Sequence, residues 1–208
     1  MKKFIISVMI AFMLTNMISA YSAKVQDELG NNLVRLHIIA NSNSSADQQI
    51  KLKIRDEILR SEGERLNCES ENTCVQTVKE RLHIIEDIAN KTLQKNGFSY
   101  TAHAQYGSFE FPQKQYKNMI LPAGRYYGVR IVLGEGIGEN WWCVMYPPLC
   151  MTIDNEAVLG EKSQKLLEEN LSTETYDVIT SHNGEINVKF RVVELAGKIK
   201  KYVEDIAK

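Results

Sequence analysis

The four cysteines are the residues of this sequence whose type most readily supports covalent chemistry. They form two closely spaced pairs, Cys68 with Cys74 and Cys143 with Cys150. A nucleophilic cysteine needs a thiolate, which usually depends on a nearby histidine or helix N-terminus and on access from solvent. Cys143 instead lies in the aromatic and aliphatic run WWCVMY, and Cys150 follows Pro-Pro-Leu. In a protein that leaves the cytosol, these surroundings favour a disulfide over a catalytic thiol.

The N-terminal sequence indicates export. Lys2 and Lys3 precede an apolar run over residues 4–14, and small residues follow at 20–23. This is the layout of a secretory signal peptide, and the run is shorter than the roughly 20 apolar residues that a spanning helix needs. We therefore predict a signal peptide over residues 1–23 and a single domain over residues 24–208. Cleavage of the signal is left open, and an uncleaved signal would tether the domain to a membrane.

Export makes disulfides the expected state of the cysteines. Four cysteines allow three pairings. The spacings favour two local bridges, Cys68 to Cys74 and Cys143 to Cys150, although the sequence alone does not decide among the three pairings.

Other polar groups do not form a recognisable active site. The loop at 134–140 has the phosphate-loop spacing G-x-G-x-G, but a strand follows it, and Glu135 and Glu139 would repel an anion. Neighbouring carboxylates such as Asp56 and Glu57 diverge on a helix. The histidines fall in four separate predicted elements, at positions His37, His83, His103 and His182. We predict no catalytic residue, no metal and no cofactor, and we interpret the loop as a flexible hairpin connection.

Composition narrows the class of partner. The chain has 208 residues, with 25 basic and 26 acidic side chains and a formal net charge of -1. Nucleic-acid binding normally shows as a basic excess or a basic stripe, and neither is present. The length suits one domain with a substantial core.

Hydrophobic periodicity predicts an α+β domain. Strands are expected at 33–39, 126–133 and 141–146, and residues 98–111 are expected to form a strand pair or meander that turns at Gly107-Ser108. Helices are expected at 45–59, where Ser45 could cap the start, at 75–93, near 161–171 and at 195–206. The sequence TYDVIT before Asn183-Gly184 reads as one strand of a hairpin. This order favours a mixed or antiparallel sheet with helices packed mainly on one face, preceded by the signal helix.

Recognition by another protein is the remaining candidate activity. Strand alternation places Trp141, Cys143 and Met145 on one face, and Trp142, Val144 and Tyr146 on the other. One tryptophan therefore belongs to the core, while the other is covered by a helix or faces a partner. Tryptophan and arginine often carry binding energy at interfaces. Our candidate contact residues are Trp141 and Trp142 on the strand, with Asp47, Gln48, Lys51 and Arg55 on the helix.

Two blocks of sequence resemble the stage II sporulation protein R family. At 35–59 the chain reads RLHIIANSNSSADQQIKLKIRDEIL, with the family's basic and apolar strand, Ala-Asn-Ser, Asp-Gln and a lysine-rich helix ending in Arg-Asp. At 121–150 it has Pro-Ala-Gly, the Gly-Glu-Gly loop, and Asn-Trp-Trp-Cys through Pro-Pro-Leu-Cys. The likeness is only general over 60–98 and after about residue 155, and the Cys68 and Cys74 pair is not part of it.

The resemblance implies a signalling protein that is secreted from the forespore into the space between the two septal membranes. There it would activate a membrane-bound aspartic protease of the mother cell, which removes the pro-segment of the sigma-E precursor. The protein itself would not be an enzyme, and it would touch a membrane only through its signal segment or its partner. The alternative from another class is an exported cell-wall or peptide hydrolase that uses Cys143 or a carboxylate.

Overall fold

The computed structural model describes residues 2–66, 68, 70–116, 119–148 and 161–180. Its helices are α1 (Lys2–Asn32), α2 (Ser45–Glu62), α3 (Glu71–Lys95), α4 (Glu161–Asn170) and α5 (Thr173–Thr180). Its strands are β1 (Val34–Ile39), β2 (Ala102–Phe111), β3 (Lys114–Tyr116), β4 (Met119–Leu121), β5 (Gly124–Leu133) and β6 (Asn140–Tyr146). The predicted hairpin turn at Asn183-Gly184 and the helix at 195–206 lie outside the described residues.

Four strands form a mixed sheet in the order β2-β5-β1-β6. Strand β1 runs parallel to β5 and antiparallel to β6, and β2 runs antiparallel to β5. Strands β3 and β4 form a separate antiparallel pair. The predicted α+β class with a mixed sheet and an N-terminal apolar helix is therefore confirmed.

Helices α2 and α3 cover one face of the sheet, which we call the helix face. Isoleucines spaced four residues apart on α2 point toward the even-numbered side chains of β1, because one helical turn nearly returns to the same side. Ile54 is fully buried, and the adjoining strand β5 adds Val129 and Ile131, also fully buried. This face is a continuous apolar core of aliphatic side chains.

The opposite face, which we call the second face, is covered differently. The last turns of α1 contribute Val25 and Leu29, and α4 and α5 contribute Leu167 and Ile179. Because side chains alternate along a strand, β1 places Arg35 and His37 on this side. Arg35 is fully buried and His37 is only 4% exposed. The second face therefore contains charged and aromatic groups within its core.

The first half of α1 makes no comparable contacts. Its apolar side chains over residues 5–14 are largely exposed; Phe12, for example, is 70% exposed. The stretch Ile5–Asn32 is long and apolar enough to cross a membrane, a criterion that N-terminal signal sequences also meet. A single uninterrupted helix thus joins this exposed apolar segment to the packed residues Val25 and Leu29.

Four local predictions need correction. Residues 102–111 form one continuous strand, and the turn expected at Gly107-Ser108 is wrong because both residues pair with β5. Tyr146 lies on the helix face and not with Trp142, because a bulge shifts the β6 register and pairs Tyr146 with Val34 while Val144 pairs with Arg35. The sequence TYDVIT is helical, and the Ser172 hydroxyl caps that helix by accepting from the Thr175 amide. Helix α2 is capped by Ser44, one residue before the predicted cap.

Candidate functional site

The start of α2 is held by an internal network centred on Asp47. Its carboxylate accepts hydrogen bonds from Asn41 Nδ2 at 3.0 Å, from the Ser42 hydroxyl and from the Tyr100 hydroxyl. Burial alone would raise the pKa of Asp47, but these hydrogen bonds outweigh it and lower the pKa to about 2. Asp47 was predicted to contact a partner, but it is only 6% exposed. Its hydrogen bonds instead hold residues 41–44 in place beside Tyr100.

Lys51 and Gln48 also make contacts inside the chain. Lys51 Nζ donates to Gln48 Oε1 at 2.6 Å and to the Glu139 carbonyl at 2.9 Å. Burial lowers the pKa of Lys51, which is 5% exposed. Gln48 Nε2 donates to the Ser42 carbonyl at 2.9 Å, and its side chain is half-buried. Lys51 therefore joins α2 to the loop before β6, and Gln48 retains some exposure at the same place.

Arg55 and Trp141, both predicted as partner contacts, lie against each other and join α2 to β6. The Arg55 guanidinium carbon lies 5.2 Å from the centroid of the Trp141 ring, within the range of a cation–π contact. Arg55 also pairs with the Asp56 carboxylate at 2.7 Å, and its side chain is only 15% exposed. Trp141 packs at the margin of the helix-face core and is half-buried.

Trp142 lies on the other side of the sheet, as strand alternation predicted. Its ring stacks on His37 with centroids 4.8 Å apart and meets the edge of Phe111 at 5.2 Å. The two tryptophans therefore have separate surroundings. Only Trp141 shares a surface with α2.

The loop over residues 134–139 is ordered by many hydrogen bonds and is not a hairpin, because β1 lies between β5 and β6 in the sheet. The Glu135 amide donates to Asn41 Oδ1 at 3.0 Å, and the Glu139 amide donates to Asn43 Oδ1 at 2.7 Å. A Cβ added to Gly138 would lie 2.3 Å from the Ser42 carbonyl oxygen, so this close crossing requires glycine.

Ile137, at the tip of this loop, was missed in the sequence analysis. It is 71% exposed, yet its amide donates to the Asn41 carbonyl at 3.3 Å. An isolated apolar residue in the polar stretch GEGIGEN is the signal that could have identified it. A fixed backbone that presents one large apolar side chain resembles the anchor residues of protein interfaces. We call Gln48, Arg55, Ile137 and Trp141 the α2 surface.

One of the two predicted disulfides, Cys68 to Cys74, is absent from the structure. Cys143 is disulfide-bonded, whereas Cys150 lies outside the described residues. Cys68 and Cys74 are free thiols, both buried, instead of the predicted bridge. The Cys68 thiol is directed to the Leu66 carbonyl at 3.4 Å, not into an S–S bond. Burial raises the pKa of the Cys68 and Cys74 thiols.

The bonding and the raised pKa values of these cysteines disfavour a hydrolase that uses a cysteine nucleophile. A disulfide-bonded Cys143 has no thiolate to act as a nucleophile. The raised pKa values of Cys68 and Cys74 disfavour their thiolates at neutral pH, so neither has the character of an activated cysteine.

Comparisons with known proteins agree with the resemblance. Residues 30–156 match the model of a family described as stage II sporulation protein R. The chain is 33% identical over 153 residues to stage II sporulation protein R of Bacillus subtilis (strain 168), an alignment that covers 71% of this chain and 67% of that protein. No solved structure matches the chain.

Proposed function

Because the chain belongs to the stage II sporulation protein R family, we propose that this sporulation-related protein is an exported signal that activates a membrane-bound aspartic protease. In this proposal the forespore secretes it into the intermembrane space, and the mother-cell protease then processes the sigma-E precursor. The family match carries the proposal. The exposed apolar helix at the N-terminus supports it, since export requires such a segment.

The proposed mechanism is preferential binding to one state of the protease. A ligand shifts a conformational equilibrium only by its difference in affinity for the two states. The α2 surface suits this task because Lys51 and the loop hydrogen bonds hold its members in place before binding. A surface that is already ordered loses less conformational entropy on association.

The proposal is tested by reconstitution in a host that lacks all three proteins. The full chain is expressed with the candidate protease and its sigma precursor, and processing of the precursor is followed by immunoblotting. Processing should require both the chain and the protease. An exported, folded chain that produces no processing would contradict the proposal.

The same assay tests the α2 surface. Ile137→Asp and Trp141→Ala should reduce processing at least about tenfold, the loss expected when an interface anchor worth about 1.4 kcal/mol or more is removed. Tyr127→Asp is the matched control, since Tyr127 is another exposed apolar residue, 44% accessible, outside this surface. If all three variants support processing as well as the wild type does, the α2 surface is not the protease contact, and the family assignment is unaffected.

A further inference from the structure

Arg35 on the second face is a buried cation whose guanidinium makes no hydrogen bond of normal geometry with any described residue. Its side chain is fully buried, and Nε, Nη1 and Nη2 all lack an acceptor within the described part of the chain. An arginine remains charged in proteins, and burying an unpaired charge is strongly unfavourable. A guanidinium in this position therefore indicates that an acceptor belongs beside it.

The surroundings of Arg35 supply ring faces and one hydroxyl. The guanidinium carbon lies 4.3 Å from the centroid of the Phe111 ring and 4.8 Å from that of Tyr126. The Tyr116 hydroxyl is near enough to Arg35 for a coulombic and a weak hydrogen-bonding interaction, but the two groups do not form a hydrogen bond of normal geometry. The Tyr126 hydroxyl is already engaged, because it donates to the Pro122 carbonyl at 2.8 Å.

A second arginine on the same face, Arg130, also has a nitrogen atom that no described residue pairs with, beside an aromatic ring. Arg130 is paired with His37 across the parallel strands, and both Arg130 Nε and His37 Nε2 lack partners within the described part of the chain. The Arg130 guanidinium carbon lies 4.4 Å from the centroid of the Phe109 ring. Burial lowers the pKa of His37 to about 4, so its ring is neutral at pH 7. Two arginines on this face therefore present donors that no acidic side chain of the described residues pairs with.

We propose that Arg35 is a binding site for a carboxylate group, with the Tyr116 hydroxyl as a second donor and the Phe111 and Tyr126 rings as walls. A guanidinium presents two parallel N–H donors that match the two oxygens of a carboxylate. The apolar rings exclude water and strengthen such a pair. The carboxylate comes either from another molecule or from this same chain, and the proposal is independent of the protease.

Thermal unfolding of the full chain tests for an external carboxylate. The melting temperature is measured in sodium acetate and in sodium chloride at equal ionic strength, for the wild type, Arg35→Met and Arg125→Met. Arg125 is the matched control, because it is an exposed arginine of β5 whose side chain is 69% accessible. Filling of the site by acetate should raise the melting temperature by a few degrees in the wild type and the control, and not in Arg35→Met.

The pH dependence of Arg35→Met tests for an internal carboxylate. Removing the arginine would leave that carboxylate buried and unpaired, which raises its pKa in the folded state. The stability deficit of the variant should then be larger at about pH 7 than at about pH 5.5, since protonation relieves it. His37 is neutral in the folded wild type at both values, because its pKa is about 4, and the burial that is the main cause of this lowered pKa does not depend on Arg35.

Two results would overturn the proposal. One is an acetate effect of the same size in Arg35→Met as in the wild type. The other is the absence of any acetate effect together with a stability difference that does not change with pH, as simple loss of packing would give.

Discussion

The two faces of the sheet bury different kinds of side chain. The helix face buries aliphatic side chains such as Ile54 and Ile131, and its charged groups stand at the rim, where Asp47 is fully hydrogen-bonded. The second face buries Arg35 and His37 among aromatic rings, and several of their nitrogen atoms have no partner among the described residues. One face therefore has the composition of a structural core, and the other has the composition of a place where an additional group is expected.

This difference between the faces predicts that substitutions on each face will affect different properties of the protein. Apolar burial stabilises roughly in proportion to area, whereas a buried cation stabilises only when it is paired. Substitutions on the helix face should therefore act mainly on folding. Those on the second face should depend on pH and on bound anions as well.

The largest effect is expected for Ile54→Ala on the helix face. Ile54 is fully buried between α2 and the sheet, so the substitution removes buried apolar surface and leaves a cavity. The free energy of unfolding, measured in urea, should fall by about 2–5 kcal/mol. Leu52→Ala on the same helix is the control, since Leu52 is 39% exposed and its loss should cost far less.

Trp142→Ala should cause the next largest loss in the free energy of unfolding. It tests how much the aromatic contacts of the second face stabilise the fold. Its ring contacts His37 and Phe111, but it is only half-buried, so we expect a loss of about 2–3 kcal/mol in urea. Trp141→Ala should cost less, because Trp141 lies at the margin of its cluster. A larger loss for Trp141 would reverse the roles assigned to the two tryptophans.

Asp47→Asn should lower stability by about 2 kcal/mol at neutral pH, because the folded state holds the pKa of Asp47 near 2, below its usual value of 3.8. This stabilisation is present above about pH 4 and is lost as the pH falls toward 2. Urea midpoints measured across this range should converge for the wild type and the variant at the acid end. Asp87→Asn is the control, since Asp87 makes an exposed pair with Lys91.

Glu28→Gln should have the smallest effect, about 1 kcal/mol, and tests how α1 is attached to the second face. The Glu28 carboxylate accepts from the Ser172 hydroxyl at 2.9 Å and from the Thr175 hydroxyl. Burial opposes but does not outweigh these bonds, and the net pKa of Glu28 is lowered. The wild-type advantage should therefore disappear in acid. Glu174→Gln, at an exposed pair with Lys24, should change nothing measurable.

The parts of the fold that sequence reasoning predicted are those set by local periodicity. The isoleucine spacing of α2 and the alternation of Trp141 and Trp142 in β6 each depend on residues only a few positions apart. Tyr146 was misplaced because a bulge depends on the partner strand, and TYDVIT was misassigned because its cap is completed by Glu28, 144 residues away from Ser172.

The candidate site was less predictable for the same reason. Asp47 and Lys51 look like exposed polar residues of a helix, and only their contacts with Tyr100 and the Glu139 carbonyl show that they are internal. The burial of Arg35 follows from α1, β3 and β4 covering the second face, which no local pattern of residues 34–39 reports. Ile137 was detectable in principle, as a lone apolar residue in a glycine-rich loop.

The continuity of α1 has a consequence for where the domain can move. A helix rises about 1.5 Å per residue, so the seven steps from Ile18 to the buried Val25 span only about 10 Å. In a chain that keeps residues 1–23 in a membrane, the folded domain would be confined close to the lipid surface and would meet its partners only at that surface. Cleavage near residue 23 would free the domain from that surface, so one peptide bond would decide whether the domain diffuses in two dimensions or in three.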